Sequence, residues 1–170
     1  QTFQGPINPS LVSEQFAGCL SCPGASWNNP MNATIADSNF AWVAPSHHSQ
    51  CALGECYSRG LIATGFNFSI PANAIIKGIE AQVLRKASYT NCIEDTVIQL
   101  WNNGSNPVGL NHALSGFWNV SYSYAVYGDS TDTWGLNWIP ADINSSGFGL
   151  FFQLIRTDNN GALVCYALVD

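Results

Sequence analysis

The strongest constraint on the fold is a series of short runs in which apolar and polar residues alternate. In the clearest run, Ile79, Ala81 and Val83 are separated by polar residues, which is the two-residue period of a strand with one buried face. No window carries a sustained apolar stripe with the helical period of 3.6 residues. The chain is therefore predicted to be all-β, with one helical turn over residues 140–144.

The predicted strands are short and regularly spaced. They cover residues 11–16, 40–43, 61–70, 75–86, 96–101, 117–126, 134–138, 148–156 and 163–169, with turn residues between them. This number of short strands favours a two-sheet antiparallel β-sandwich, jelly-roll-like in topology. We expect one β-sandwich domain over residues 19–170, preceded by an extended N-terminal arm over residues 1–18.

The charge content restricts the partners of the chain. Only 9% of the residues are charged and the formal net charge is −6, against about 25% charged residues in an average soluble domain. The five Lys and Arg residues are scattered, so the basic patch that a phosphate backbone requires is missing and nucleic acid is not expected as a partner. No apolar run reaches the roughly 18–20 residues of a membrane span.

The cysteines indicate an oxidising compartment. Their number is even, which favours disulfides; they are Cys19, Cys22, Cys51, Cys56, Cys92 and Cys165. The expected pairs are Cys19–Cys22 and Cys51–Cys56 as local loops and Cys92–Cys165 as a long-range link. A zinc site at Cys19 and Cys22 is the alternative, but His47 and His48 are adjacent and do not have the spacing of a ligand pair.

We expect a secreted or extracellular protein at a cell surface or in an appendage. Gln1 is not preceded by an initiator Met, which favours a mature, cleaved product. Five Asn-x-Ser/Thr sequons support glycosylation in a glycosylating cell; they lie at Asn32, Asn67, Asn103, Asn119 and Asn144. A chain that is merely rich in Asn, Ser and Thr is the alternative explanation.

No combination of residues predicts catalysis, so no enzyme activity, cofactor or metal is expected. Glu94 and Asp95 are adjacent, and adjacent strand residues point to opposite faces, which makes a poor acid–base pair. No Gly-x-Ser-x-Gly nucleophile elbow is present. Asp129 and Asp132 could contribute to a calcium site, but Asp in such a turn more often binds backbone amides.

From Cys19 onward the chain resembles a family of extracellular jelly-roll or β-sandwich domains. The resemblance rests on Cys22-Pro-Gly-Ala-Ser-Trp27-Asn-Asn-Pro30, Ala63-Thr-Gly-Phe-Asn-Phe-Ser-Ile-Pro71, Ile76-Lys-Gly-Ile-Glu80, Arg85-Lys-Ala-Ser88, Tyr127-Gly-Asp-Ser-Thr-Asp-Thr-Trp-Gly135, Trp138-Ile-Pro-Ala-Asp-Ile-Asn144 and Phe148-Gly149. Such domains occur in secreted bacterial, phage-tail and algal surface proteins. The resemblance implies a jelly-roll-like sandwich in surface or fibre proteins and brings no catalytic residues with it.

The main functional prediction is a structural subunit of a fibre, a pilus-like filament or a surface layer. An extended arm can complete the sheet of a neighbouring molecule through main-chain hydrogen bonds, and head-to-tail addition of this kind builds a homo-polymer. The anchors of the arm would be Thr2, Phe3, Leu11, Val12 and Phe16. The accepting strand would be 163–169, with Leu163, Cys165 and Val169 on one face and apolar residues on the other.

The alternative prediction is a carbohydrate-binding or adhesion module that binds surface glycans. Sugar sites on sandwich folds use exposed aromatic side chains, and this chain has six Trp and six Tyr. The candidates are Trp118, Tyr122, Tyr124 and Tyr127. The competing interpretation is that these aromatic side chains pack in the core.

Overall fold

The computed structural model describes residues 3–15, 24–47, 56–158 and 163–170. The strands within these residues are β1 Leu11–Gln15, β2 Ala41–Val43, β3 Gly60–Thr64, β4 Ile79–Ala87, β5 Ile93–Asn102, β6 Ser123–Asp129, β7 Phe148–Arg156 and β8 Ala167–Val169. A 3-10 helix covers Pro30–Thr34, and a single-turn helix, α1, covers Pro140–Ile143. No helix of the described residues is both long and apolar enough to cross a membrane.

The strands form two four-stranded antiparallel sheets, which confirms the predicted all-β sandwich. Sheet I has the strand order β1-β3-β7-β5, and sheet II has the order β2-β8-β4-β6. The two inner faces share one core. Its members alternate along the strands, as in Val83 with Ala87 on β4 and Leu150 with Phe152 on β7.

The strand of the N-terminal arm, β1, is part of its own sandwich. All five residues of β1 pair antiparallel with β3, from Leu11 opposite Thr64 to Gln15 opposite Gly60. Val12 is buried in the core at 3% exposure, whereas Phe3 is 76% exposed. The predicted insertion of this arm into a neighbouring molecule is therefore wrong, because the main-chain groups of its strand β1 are already paired with β3. The other two predicted anchors, Thr2 and Phe16, lie outside the described residues.

The predicted accepting strand has no free edge. The strand β8 is shorter than expected and lies between β2 and β4, pairing with both. Of the three residues predicted to share one face, Cys165 and Val169 are buried, but Leu163 precedes the strand and is 42% exposed. Because both edges of β8 are occupied, it cannot accept a further strand, and the prediction is corrected.

The predicted strand over 134–138 is also wrong. Trp134 and Gly135 have positive φ angles of 56° and 72°, so the chain turns sharply instead of extending. The Trp134 ring is fully buried and its indole Nε1 donates to the Ile79 carbonyl at 2.8 Å. The turn therefore places the large apolar side chain of Trp134 in the core.

One predicted disulfide is confirmed. Cys92 is bonded to Cys165 across 73 residues of sequence, linking the start of sheet I strand β5 to the segment that enters β8. Cys56 is also disulfide-bonded. Cys19, Cys22 and Cys51 lie outside the described residues.

Candidate functional site

The outer face of sheet II carries a layer of aromatic side chains. We call this layer the aromatic platform; its members are Phe40, Trp42, Tyr122, Tyr124 and Tyr166. Alternation places them there, because Trp42 pairs with Leu168 and Tyr124 pairs with Leu84, while the residues between them point into the core. The platform therefore extends from the edge strand β2 to the edge strand β6.

The aromatic rings are held by contacts with one another. Phe40 and Tyr122 are stacked, with centroids 4.6 Å apart and planes 15° apart. Trp42 and Tyr166 meet edge to face at 5.5 Å. These pairs restrict the side chains before any ligand arrives, which lowers the conformational entropy that binding would cost.

The platform is open to solvent and is surrounded by polar groups. Tyr124 is 60% exposed and Tyr166 is 37% exposed. Glu80 and Gln82 are exposed on the same face of β4, and the Lys86 Nζ lies 4.5 Å above the ring of Tyr122. An aromatic surface with donors and acceptors beside it fits a ligand that is apolar on one face and polar at its edge.

Tyr122 is a platform residue with a buried polar atom. Its hydroxyl is buried and has no hydrogen-bond partner among the described residues. Burial raises the pKa of Tyr122, and the negative charge of Asp170 raises it further. The phenol therefore stays neutral, and Tyr122 contributes its ring face and not a charge.

Two of the four aromatic residues predicted from the sequence are not available to a ligand. Trp118 is 3% exposed and Tyr127 is 1% exposed. Both hydrogen-bond to the carboxylate of Asp95 inside the sandwich, from the Trp118 Nε1 at 2.8 Å and the Tyr127 hydroxyl at 3.1 Å. Their proposed role in stacking on sugars is corrected, because rings between the sheets cannot reach a surface ligand.

The sequence reasoning did not assign Phe40, Trp42 and Tyr166 to the site. One signal was present, since the last predicted strand is apolar on both faces and its outer face includes Tyr166. An apolar outer face of this kind predicts a cover, either the N-terminal arm or another molecule. The structure leaves Tyr166 and its neighbour Val164 exposed, the latter at 52%.

In the turn at residues 129–135, the Asp side chains accept hydrogen bonds from groups of the same turn. Asp129 Oδ1 accepts hydrogen bonds from the Thr131 amide and hydroxyl, both at 2.7 Å. The hydrogen bond from the Thr131 side chain is the main reason that the pKa of Asp129 is lowered. Asp132 faces the His112 Nε2 at 3.2 Å. Within the described ranges, no three ligating side chains are grouped to hold a metal.

The five predicted glycosylation sites are spread over the surface, and most of their amides are engaged. Asn32 is half-buried, and Asn67, Asn103, Asn119 and Asn144 are exposed. Asn144 is bonded twice to the backbone of Ile70, as donor to its carbonyl and acceptor from its amide, both at 2.8 Å. Glycosylation of these residues stays a prediction.

Comparison with known proteins gives two solved structures of low similarity. No protein-family model and no curated protein matches the chain. One similar structure is the N-terminal cellulose-binding domain of β-1,4-glucanase C from Cellulomonas fimi, with 12% identity and a TM-score of 0.40, covering 98% of this chain and 86% of that one. The other is a CBM4 structure, with 12% identity and a TM-score of 0.38, covering 80% of this chain and 82% of that one.

The prediction of a fibre, filament or surface-layer subunit is wrong. Its mechanism required a free arm and a free accepting edge, but β1 is paired with β3 and β8 lies inside sheet II. These strand pairings give no support to a homo-polymer as a partner.

Proposed function

We propose that this protein is a non-catalytic module that binds carbohydrate on the aromatic platform of sheet II. The observation that supports the proposal is the arrangement of Trp42, Tyr124 and Tyr166 on one open sheet face. Buried aromatic side chains are explained by packing alone, but a partly exposed aromatic layer on a sheet surface is not.

The chemistry of a sugar ring matches such a surface. The C–H groups of a pyranose form apolar patches above and below the ring, while its hydroxyls project from the edge. Tyr and Trp rings cover the apolar patch and lose little conformational entropy on binding. Tyr124 offers a large part of its ring to such a contact, since it is 60% exposed.

The neighbouring polar side chains supply hydrogen bonds that fix the orientation of the ligand. Gln82 offers both a donor and an acceptor, Glu80 offers acceptors and Lys86 offers donors. Gln82 and Glu80 lie near each other, with the Gln82 Nε2 donating to the Glu80 Oε1 at 2.9 Å. A few polar groups at the rim of an aromatic surface are typical of a site that recognises hydroxyls.

The experiment is to measure binding of soluble polysaccharides by the intact chain and by two variants. Tyr124→Ala and Trp42→Ala should each lower the affinity by about tenfold, equivalent to about 1.4 kcal/mol. Isothermal titration calorimetry gives the affinities, and cello-oligosaccharides, xylan and mannan are suitable first probes. Circular dichroism confirms that each variant is folded.

The matched control is Phe117→Ala. Phe117 is aromatic and 46% exposed but is not on the platform, and its main chain bridges to Glu94 of sheet I. This variant should bind as the unmodified chain does. Equal losses in all three variants, or no loss in any, would show that sugar does not bind on the platform.

A further inference from the structure

The outer face of sheet I has an unusual composition. Two rows of side chains cross all four strands, Ser13–Ile62–Phe151–Gln99 and Leu11–Thr64–Gly149–Trp101, and Gln15 and Gln153 lie at the same face. None of these residues is charged. An ordinary solvent-facing sheet carries charges, and an ordinary buried one is aliphatic, but this face combines amides, hydroxyls and aromatic rings.

The centre of this face is covered, whereas its β1 side is open. Ile62, Trp101 and Phe151 form a small apolar cluster, each less than 9% exposed. The Trp101 and Phe151 rings are stacked, with planes 16° apart. By contrast, Leu11 is 51% exposed and Ser13 is also exposed.

A loop over residues 103–107 reaches from one edge of sheet I to the other. The loop leaves β5 after Asn102 and returns to β5 where Val108 bridges to Leu100. Both of its ends therefore lie at the β5 edge of sheet I. Its tip contacts the opposite edge strand, because the Ser105 carbonyl accepts a hydrogen bond from the Gln15 Nε2 at 2.8 Å. The loop therefore passes above the face, and its residues 103–106 are solvent-exposed.

Gln15, the residue that holds the loop, has one polar atom without a hydrogen-bond partner in the part of the chain that the structure describes. The second polar atom of the Gln15 amide, Oε1, is buried and has no hydrogen-bond partner among the described residues. A buried acceptor without a donor is unfavourable. A ligand hydroxyl that reached Gln15 would supply the missing donor.

We propose that the outer face of sheet I is a second binding face, for an uncharged glycan chain that enters when the loop 103–107 lifts away from Gln15. The ligand class follows from the side chains. Gln amides pair with hydroxyls as donor and acceptor, and the stacked rings of Trp101 and Phe151 match the apolar face of a sugar. Among the residues of the two rows, together with Gln15 and Gln153, none carries a charge that would pair with an ionic ligand. This proposal does not depend on the aromatic platform.

The test uses the Trp42→Ala/Tyr124→Ala double variant, in which the platform is disabled. In this background the loop 103–107 is replaced by Asn-Gly, which uncovers the face. Cellohexaose, xylohexaose and mannohexaose are titrated into both forms. At least one of these neutral hexasaccharides should bind the shortened form about tenfold more tightly or better, because the cost of opening is removed.

A further substitution separates recognition from opening. In the shortened form Gln15 no longer holds a loop, so Gln15→Met tests only its contact with the ligand and should weaken binding about tenfold. Gln4→Met is the matched control and should change nothing, because Gln4 is an exposed Gln that accepts from the Ser69 amide and belongs to neither binding face. The second face is disproved if no hexasaccharide binds the shortened form, or if Gln15→Met and Gln4→Met behave alike.

The unmodified chain provides an independent measurement. Saturation with the bound hexasaccharide should shift the backbone carbonyl carbon resonance of Ser105, because the Gln15 Nε2 that donates to this carbonyl loses the contact when the tip leaves β1. An unchanged resonance at saturation would overturn the proposal. If instead all binding is lost in the platform variant while the resonance stays constant, the aromatic platform is supported and the second face is not.

Discussion

Arg85 on β4 and Asp95 on β5 form an ion pair that joins the two sheets through the interior. The Asp95 side chain has no solvent exposure and the Arg85 side chain has 10%. Asp95 is turned inward by a bulge, because the pairing register with β7 shifts between Asp95 and Val97. The bulge places one carboxylate between the sheets, and the guanidinium from the opposite sheet neutralises it.

The buried pair is well satisfied by its neighbours. Asp95 also accepts hydrogen bonds from Trp118, Tyr127 and the Leu114 amide, and the guanidinium of Arg85 lies 4.7 Å above the ring of Trp118. Removal of one partner from such a pair leaves an uncompensated buried charge, which costs more than the pair itself contributes.

Asp95→Asn should therefore lower the free energy of unfolding by about 3–5 kcal/mol. Urea denaturation followed by tryptophan fluorescence measures the change. The Arg85→Met/Asp95→Leu double variant should lose less than Asp95→Asn alone, because it leaves no unpaired charge. Glu80→Gln, which removes an exposed carboxylate, is the control and should change stability by less than about 0.5 kcal/mol. A loss of that small size for Asp95→Asn would contradict the prediction.

The stability of the protein should fall at alkaline pH because of Tyr127. Burial raises the pKa of the Tyr127 phenol well above its ordinary value of 10.0, and the charge of Asp95 acts in the same direction. The unfolded chain therefore loses the phenol proton at a lower pH than the folded chain does. The stability that the protonated phenol contributes is complete below pH 10 and is lost as the pH rises toward the raised pKa of the folded state.

The measurement is the urea midpoint at pH 8 and at pH 11. The unmodified chain should lose stability between these values more steeply than Tyr127→Phe. At pH 8 the variant should already be less stable by about 1–2 kcal/mol, because the hydroxyl bonds to Asp95 and Arg85 are absent. Parallel pH profiles for the two proteins would exclude this role for the phenol.

Loss of the Cys92–Cys165 disulfide should destabilise the fold strongly. The bond closes a loop of 73 residues, and a link of that span restricts the unfolded chain considerably. The Cys92→Ala/Cys165→Ala variant should be less stable by about 2–5 kcal/mol. Thermal and urea denaturation test this, and an unchanged midpoint would show that the surrounding core fixes these segments unaided.

The first strand should behave as part of the core. Val12→Ala should reduce stability by about 1–2 kcal/mol, because a buried side chain leaves a cavity between the sheets. Leu11→Ala, one residue earlier and 51% exposed, is the control and should change stability by less than about 0.5 kcal/mol. Equal effects would mean that β1 is not docked on β3 in solution.

The buried face of the clearest strand followed from local pattern, but the strand partners did not. The alternation around Val83 predicts which face of β4 is buried, because side chains alternate in any extended chain. The same alternation in 163–169 separated Cys165 from Tyr166 correctly. It could not show that β8 lies between β2 and β4, because strand order depends on contacts between residues distant in sequence.

The candidate site was only half predictable for the same reason. Tyr124 and Tyr127 are three residues apart on one strand, so they must point to opposite faces, and only the position of the second sheet decides which face is buried. Trp118 precedes that strand, and its burial depends on Asp95, which a bulge turns inward. Phe40 and Tyr122 meet above sheet II from segments far apart in the chain.

The sequence by itself determined an all-β chain, a low content of basic residues and the inner and outer residues of its clearest strands. These properties depend on composition and on a two-residue period that is local. Only the tertiary structure decided that β1 pairs with β3 of its own chain and that Trp118 and Tyr127 surround a buried ion pair. It also decided which aromatic side chains meet on an open face. Those outcomes depend on how strands from distant parts of the chain pair, and local periodicity carries no information about that pairing.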